Sequence, residues 1–201
     1  MNLANKLTLL RVIMVPFFVL FMLVDFFPKN YLWALAVFAA ASITDMFDGK
    51  IARKYNMVTS FGKFLDPLAD KILVAAALIC MVELHWTSSW VVALIIMREF
   101  AVSGVRLIAA GSEQKKVIAA GWLGKVKTAV TMVAICVILL MHILAQFGVI
   151  FDYTVTLSTE PSLGVPIQPI SDILMYVCAA LTVASGVQYL WQYREFIDPS
   201  K

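Results

Sequence analysis

Apolar residues run along this chain in six long blocks, at approximately 7–27, 31–52, 64–84, 86–110, 121–147 and 170–191, separated by short polar joints. Each block reaches or exceeds the length of about 20 residues that a bilayer-spanning helix needs. The pattern predicts an all-α integral membrane protein of six transmembrane helices, one domain over 1–201, with an amphipathic start where Asn5, Lys6, Thr8 and Arg11 alternate with leucines. Lysine and arginine then choose an orientation. Lys6, Arg11, Lys50, Arg53, Lys54, Lys63, Lys115, Lys116, Lys125, Lys127, Arg194 and Lys201 fall on one side of the predicted spans, whereas the opposite joints hold only Lys29. By the positive-inside rule the rich side is cytoplasmic, so the chain is expected in the cell membrane with both termini and a polar cavity facing the cytoplasm.

The block between residues 148 and 169 differs in kind. It holds Asp152, Glu160 and three prolines with no lysine or arginine, which reads as an external loop with a short ordered piece. Residues 12–24, after Lys6 and Arg11, imitate a secretory signal, but the bulky, acidic Val24-Asp25-Phe26-Phe27 offers no cleavage point, so this segment is expected to stay attached.

Composition agrees with the pattern. The chain is 62% hydrophobic and 14% charged with mean hydropathy +0.88, where a soluble domain is about half apolar and a quarter charged. A net charge of +3, without a basic stripe interleaved with aromatics, excludes nucleic acid as a partner. Cys80, Cys136 and Cys178 each sit in an apolar run without C-x-x-C spacing, so they read as packing residues rather than a disulfide framework or zinc site. His85 and His142 are too isolated to be metal ligands.

Charge inside such sequence is costly and marks a functional site. Asp45 and Asp48 are three apart at the end of the second block, and Asp66 and Asp70 four apart at the start of the third. On helices each pair projects from one face. Two such pairs on neighbouring helices would gather four hard oxygen donors, the arrangement that holds Mg²⁺ or Mn²⁺. Without a cation the carboxylates would repel and raise one another's pKa values. Gly49 weakens a helix unless something must approach its backbone, and Arg53, one turn on, can meet phosphate in a fork. Pro67, inside the second pair, frees the carbonyl of Lys63 and is expected to kink or start a helix.

From Asp45 to Asp70 the sequence reads D-x-x-D-G-x-x-A-R-x₈-G-x-x-x-D-x-x-x-D, which resembles the signature of the CDP-alcohol phosphatidyltransferases at every specified position. The resemblance implies transfer of a phosphatidyl group from CDP-diacylglycerol to an alcohol with release of CMP. It also implies two divalent cations on Asp45, Asp48, Asp66 and Asp70, with Asp70 as the catalytic base, and a homodimer. Gly49, Arg53, Thr59, Asn5 and Thr8 would hold the CDP moiety. Read alone, Asn5 and Thr8 are a helix start followed by a snorkelling Arg11; the resemblance to the family's Asn-x-x-Thr stretch makes them substrate contacts.

Four further basic residues suggest the acceptor. Arg98 and Arg106 share an i, i+4 ridge with Val102, and Lys125 and Lys127 open the fifth block. Together they form a basic cluster for a second substrate that carries its own phosphate. Two bland readings remain beside this one: Arg98 paired with a carboxylate for structure, and Arg106 snorkelling. Lys125 and Lys127, two apart, point to nearly opposite sides, so one of them is expected at the lipid head groups. Within the family resemblance sn-glycerol 3-phosphate fits best as acceptor, giving phosphatidylglycerophosphate; inositol phosphate is the alternative. A divalent-cation transporter also places carboxylates inside a membrane, but Gly49 and Arg53 count against it, because an arginine beside a cation path repels the cargo.

Overall fold

The computed structural model describes residues 3–24, 26–55, 60–111, 121–152 and 164–192, and side chains at 8–24, 26–44, 71–105, 121–150 and 165–192. Among the described residues the chain is helical, with helices α1 (Leu3–Leu23), α2 (Asn30–Tyr55), α3 (Ser60–Glu83), α4 (Ser89–Gly111), α5 (Trp122–Gln146) and α6 (Ile167–Gln192). They coincide with the six apolar blocks. The main differences lie where polar residues border an apolar run: α2 continues to Tyr55 and α3 already begins at Ser60. Backbone hydrogen bonding does not stop where hydrophobicity does, so the aspartates lie inside helices rather than at their edges.

Two compact units divide the chain, one made of residues up to His85 with Ile135–Ile167, the other of Trp86–Ala134 with the residues from Gln168. In the first unit α1 packs along α2 and α3. Val15, Phe18 and Met22 of α1, Ala34, Phe38 and Ala41 of α2, and Leu73, Ala77 and Met81 of α3 are buried at intervals of three or four, the period of one helix face. The rings of Phe18 and Phe38 meet in a tilted pair with centroids 5.7 Å apart.

At the start of α2, buried Asn30 accepts a 2.7 Å hydrogen bond from Gln146 Nε2 near the end of α5. Beside it the Tyr31 and His142 rings meet edge to face, and the Lys29 ammonium lies 3.7 Å from the centroid of Phe147. Helix α5 ends in a Schellman motif: the amide of Val149 bonds the carbonyl of Leu144 and that of Gly148 bonds Ala145, with Gly148 at φ +71°. The following loop contains the expected ordered piece, a parallel pairing of β1 (Phe151–Asp152) with β2 (Gly164–Val165).

The second unit is built from α4, the first part of α5 and α6. Val102 and Val105 of α4 cluster with Tyr189 of α6, and Trp90 stacks on Tyr176 with centroids 5.7 Å apart. All three cysteines are free thiols, Cys80 and Cys178 fully buried.

Among the described residues the surface is as apolar as the core, and several polar side chains are enclosed. Phe17, Trp33, Ile79, Met97, Ile173 and Val187 are exposed, whereas Thr8, Arg11, Thr131, Ser171, Thr182 and Ser185 are buried. Helices α5 and α6 are long and apolar enough to cross a membrane, and only 33% and 39% of their spans are buried, too little for core helices of a soluble domain. These features are consistent with a membrane protein.

Candidate active site

Asp45, Asp48, Gly49 and Arg53 lie on α2, and Gly62, Asp66 and Asp70 on α3. The two helices are joined through residues 56–59 and touch each other. Both aspartate pairs therefore sit in regular helix at the spacings that put their backbone positions on one face. Pro67 neither starts nor ends a helix: α3 runs through it, and its ring leaves the carbonyl of Lys63 without the usual intrahelical donor. The side chains of residues 45–53 and 60–70, and those of Asn5 and Arg106, are outside the described ones, as is the whole of Thr59. By residue type, four aspartates on two adjoining helices offer hard, anionic oxygens, the donor chemistry that would suit a hard divalent cation.

On α1, Thr8 is 1% and Arg11 2% exposed. Arg11 does not snorkel, as the bland reading of this stretch had it. Its charge is enclosed by protein, which is tolerated only where polar partners are supplied.

The second unit holds the other cluster. Arg98 Nη1 lies 3.4 Å from Glu99 Oε1, and the same oxygen receives the Lys127 ammonium. Lys127 is 4% exposed, while Lys125 stands in the open. The opposite orientations expected of two lysines two apart are thus realised, with Lys127 inward. The Arg98 stem lies against Gly186 of α6, where a Cβ would come within 3.0 Å of Arg98 Cγ. Around Arg98 is a small pocket lined by Gly121 and Gly124 of the α5 start and by Ser185, Gln188, Tyr189 and Gln192 of α6. Arg106 lies two turns beyond Arg98 on the same helix, α4.

The pairing of Arg98 with a carboxylate, one of the two bland alternatives, is present, the partner being Glu99; the contact of Glu99 with Lys127 joins residues far apart in the chain and had no sequence signal. Two more neighbours of Arg98 also lacked one. Gly186 is one glycine in an apolar helix, where many reasons for a glycine compete. Gln188 had no signal beyond being polar near a helix end.

The chain is similar to known proteins over nearly its whole length. The profile of the CDP-alcohol phosphatidyltransferase family matches residues 1–184. A protein of Bacillus subtilis named CDP-diacylglycerol–glycerol-3-phosphate 3-phosphatidyltransferase is 40% identical over 210 residues, covering 99% of this chain and 98% of the relative. A protein of the same name from Escherichia coli is 38% identical over 194 residues, covering 94% and 93%. With the aspartate run lying on two adjoining helices and a match that takes in nearly the whole sequence, the chain belongs to the CDP-alcohol phosphatidyltransferase family.

Proposed function

We propose that this chain is an integral membrane enzyme that transfers the phosphatidyl group of CDP-diacylglycerol to sn-glycerol 3-phosphate, giving phosphatidylglycerophosphate and CMP. The observation that carries the reading is the pair of aspartate pairs on adjoining helices α2 and α3, in a chain whose near-full-length relatives bear that activity in their names.

The residues divide the work by their chemistry. Asp45, Asp48, Asp66 and Asp70 would hold two Mg²⁺ or Mn²⁺ ions. Bound there, the cations supply neutralisation of the diphosphate and of the charge that develops on departing CMP. Gly49 has no side chain to keep the diphosphate from the α2 backbone, and Arg53 offers it a planar fork. Asn5, Thr8 and Thr59 help hold the CDP moiety. Asp70 takes the proton from the acceptor hydroxyl, which demands hydrogen-bond reach to that oxygen. The oxygen then bonds to the phosphorus that carries diacylglycerol as the bond from that phosphorus to CMP breaks. Arg98, Arg106 and Lys127 receive the acceptor's phosphate; Lys125, exposed, lies at the lipid head groups.

In this reading all six helices span the cell membrane, the polar cavity opens to the cytoplasm, both termini are cytoplasmic, and the enzyme works as a homodimer. The uneven distribution of lysine and arginine supports the orientation. The test is CMP release by detergent-purified protein given CDP-diacylglycerol, Mg²⁺ and a panel of glycerol 3-phosphate, inositol phosphate, serine and glycerol. Release that depends on glycerol 3-phosphate is expected; release independent of any acceptor, or preference for an uncharged alcohol, would overturn the assignment.

A further inference from the structure

Glu99 stands between two cations from different helices. Its Oε1 contacts the Lys127 ammonium and lies 3.4 Å from Arg98 Nη1. Lys127 is 4% exposed, and a lysine so enclosed needs a counter-charge to stay charged and in place. Arg98 is constrained at both ends, its head by Glu99 and its stem by the bare backbone at Gly186.

Building on the proposed reaction, we infer that Glu99 is a positioning residue of the acceptor site. It fixes Lys127 and Arg98 as a preset pair for the acceptor's phosphate, and does not itself touch the substrate. A carboxylate near a phosphate has two opposed effects. It repels the anion, and it orders the cations that attract it. The second prevails here because of what losing the Glu99 carboxylate would do to Lys127. Its flexible four-carbon stem would carry the ammonium away to water or head groups, removing one attractive charge from the pocket altogether. Repulsion from Glu99, by contrast, is damped by the two cations it already contacts.

Kinetics of the purified protein with glycerol 3-phosphate and CDP-diacylglycerol test this. Glu99→Gln keeps the shape and loses the charge; it is expected to raise the acceptor KM roughly ten-fold or more, the scale of one lost charge-assisted contact, and to leave the donor KM unchanged. Glu99→Asp should recover part of the loss. Because Glu99 acts through Lys127, adding Glu99→Gln to Lys127→Met should cost less than the product of the two single effects. An acceptor KM that stays the same or falls in Glu99→Gln overturns the inference, as do single effects that simply multiply. Should Glu99→Gln fail to accumulate in membranes, Glu99→Asp decides alone: an unchanged acceptor KM there overturns the role. Wild-type protein without glycerol 3-phosphate-dependent CMP release would instead sink the proposed reaction, and this role with it.

Discussion

Replacing Gly186 by alanine should separate stability from function. A Cβ at this position would lie 3.0 Å from Arg98 Cγ, whereas carbon atoms in ordinary contact are about 3.5–4.0 Å apart. The arginine stem must therefore give by a few tenths of an ångström. Its guanidinium is tied to Glu99 at 3.4 Å, so the retreat either carries the head group with it or stretches that contact. Alanine in a helix interior is normally more stable than glycine by about 0.5–1 kcal/mol, which offsets part of the crowding. A misplacement of about 1 Å can cost about 10² in rate, so a shift of a few tenths of that should lower kcat/KM for glycerol 3-phosphate by roughly two- to six-fold. Tm should hardly change. The assay is CMP release against acceptor concentration at saturating donor, with thermal denaturation of the same preparation. Gly104→Ala is the control, because nothing lies within 4 Å of a Cβ built there. Unchanged acceptor kinetics in Gly186→Ala, or an equal loss in Gly104→Ala, would refute the reasoning.

Further expectations concern the aspartates and Arg106. Asp45→Asn and Asp66→Asn, which remove charge without changing shape, should abolish turnover while the protein still inserts; near-normal rates at ordinary Mg²⁺ would remove the two-cation assignment. Asp70→Asn should retain much of the CDP-diacylglycerol binding yet lose about 10² to 10⁴ in turnover, the usual contribution of a general base. Equal losses of donor binding and turnover would leave the base role without support. Arg106→Ala should lower acceptor kcat/KM roughly ten- to hundred-fold with little effect on the donor, and Arg106→Lys should restore only part, since an ammonium lacks the planar fork. A fall in thermal stability with unchanged acceptor kinetics would instead mark Arg106 as a snorkelling residue.

The helices were legible because six long apolar runs leave few alternatives, and the breaks between helices fall close to the polar joints. Their ends near the aspartates were less so: the run from Asp45 to Tyr55 is polar enough to look like a helix edge, yet its backbone continues the α2 ladder. Helical period foretold that Lys125 and Lys127 diverge, but not which turns inward, because that depends on Glu99 arriving from another helix. Arg11 shows the limit most clearly. One cation near the end of an apolar run reads the same whether it reaches outward or is enclosed, and only packing distinguishes them.

The buried hydroxyls have a consequence for how this protein is handled. Ser185 donates to the Thr182 carbonyl and Thr131 to that of Lys127, while apolar side chains cover the outside. In a hydrocarbon medium an isoleucine gains little by leaving lipid for a neighbouring helix, so cohesion rests on close van der Waals fit and on polar groups turned inward. The surrounding amphiphile is then a competitor for the same surfaces. Short-chained detergents can wedge between helices without unwinding any of them. A denaturation temperature for this enzyme is therefore a joint property of protein and amphiphile, and values from different detergents are answers to different questions.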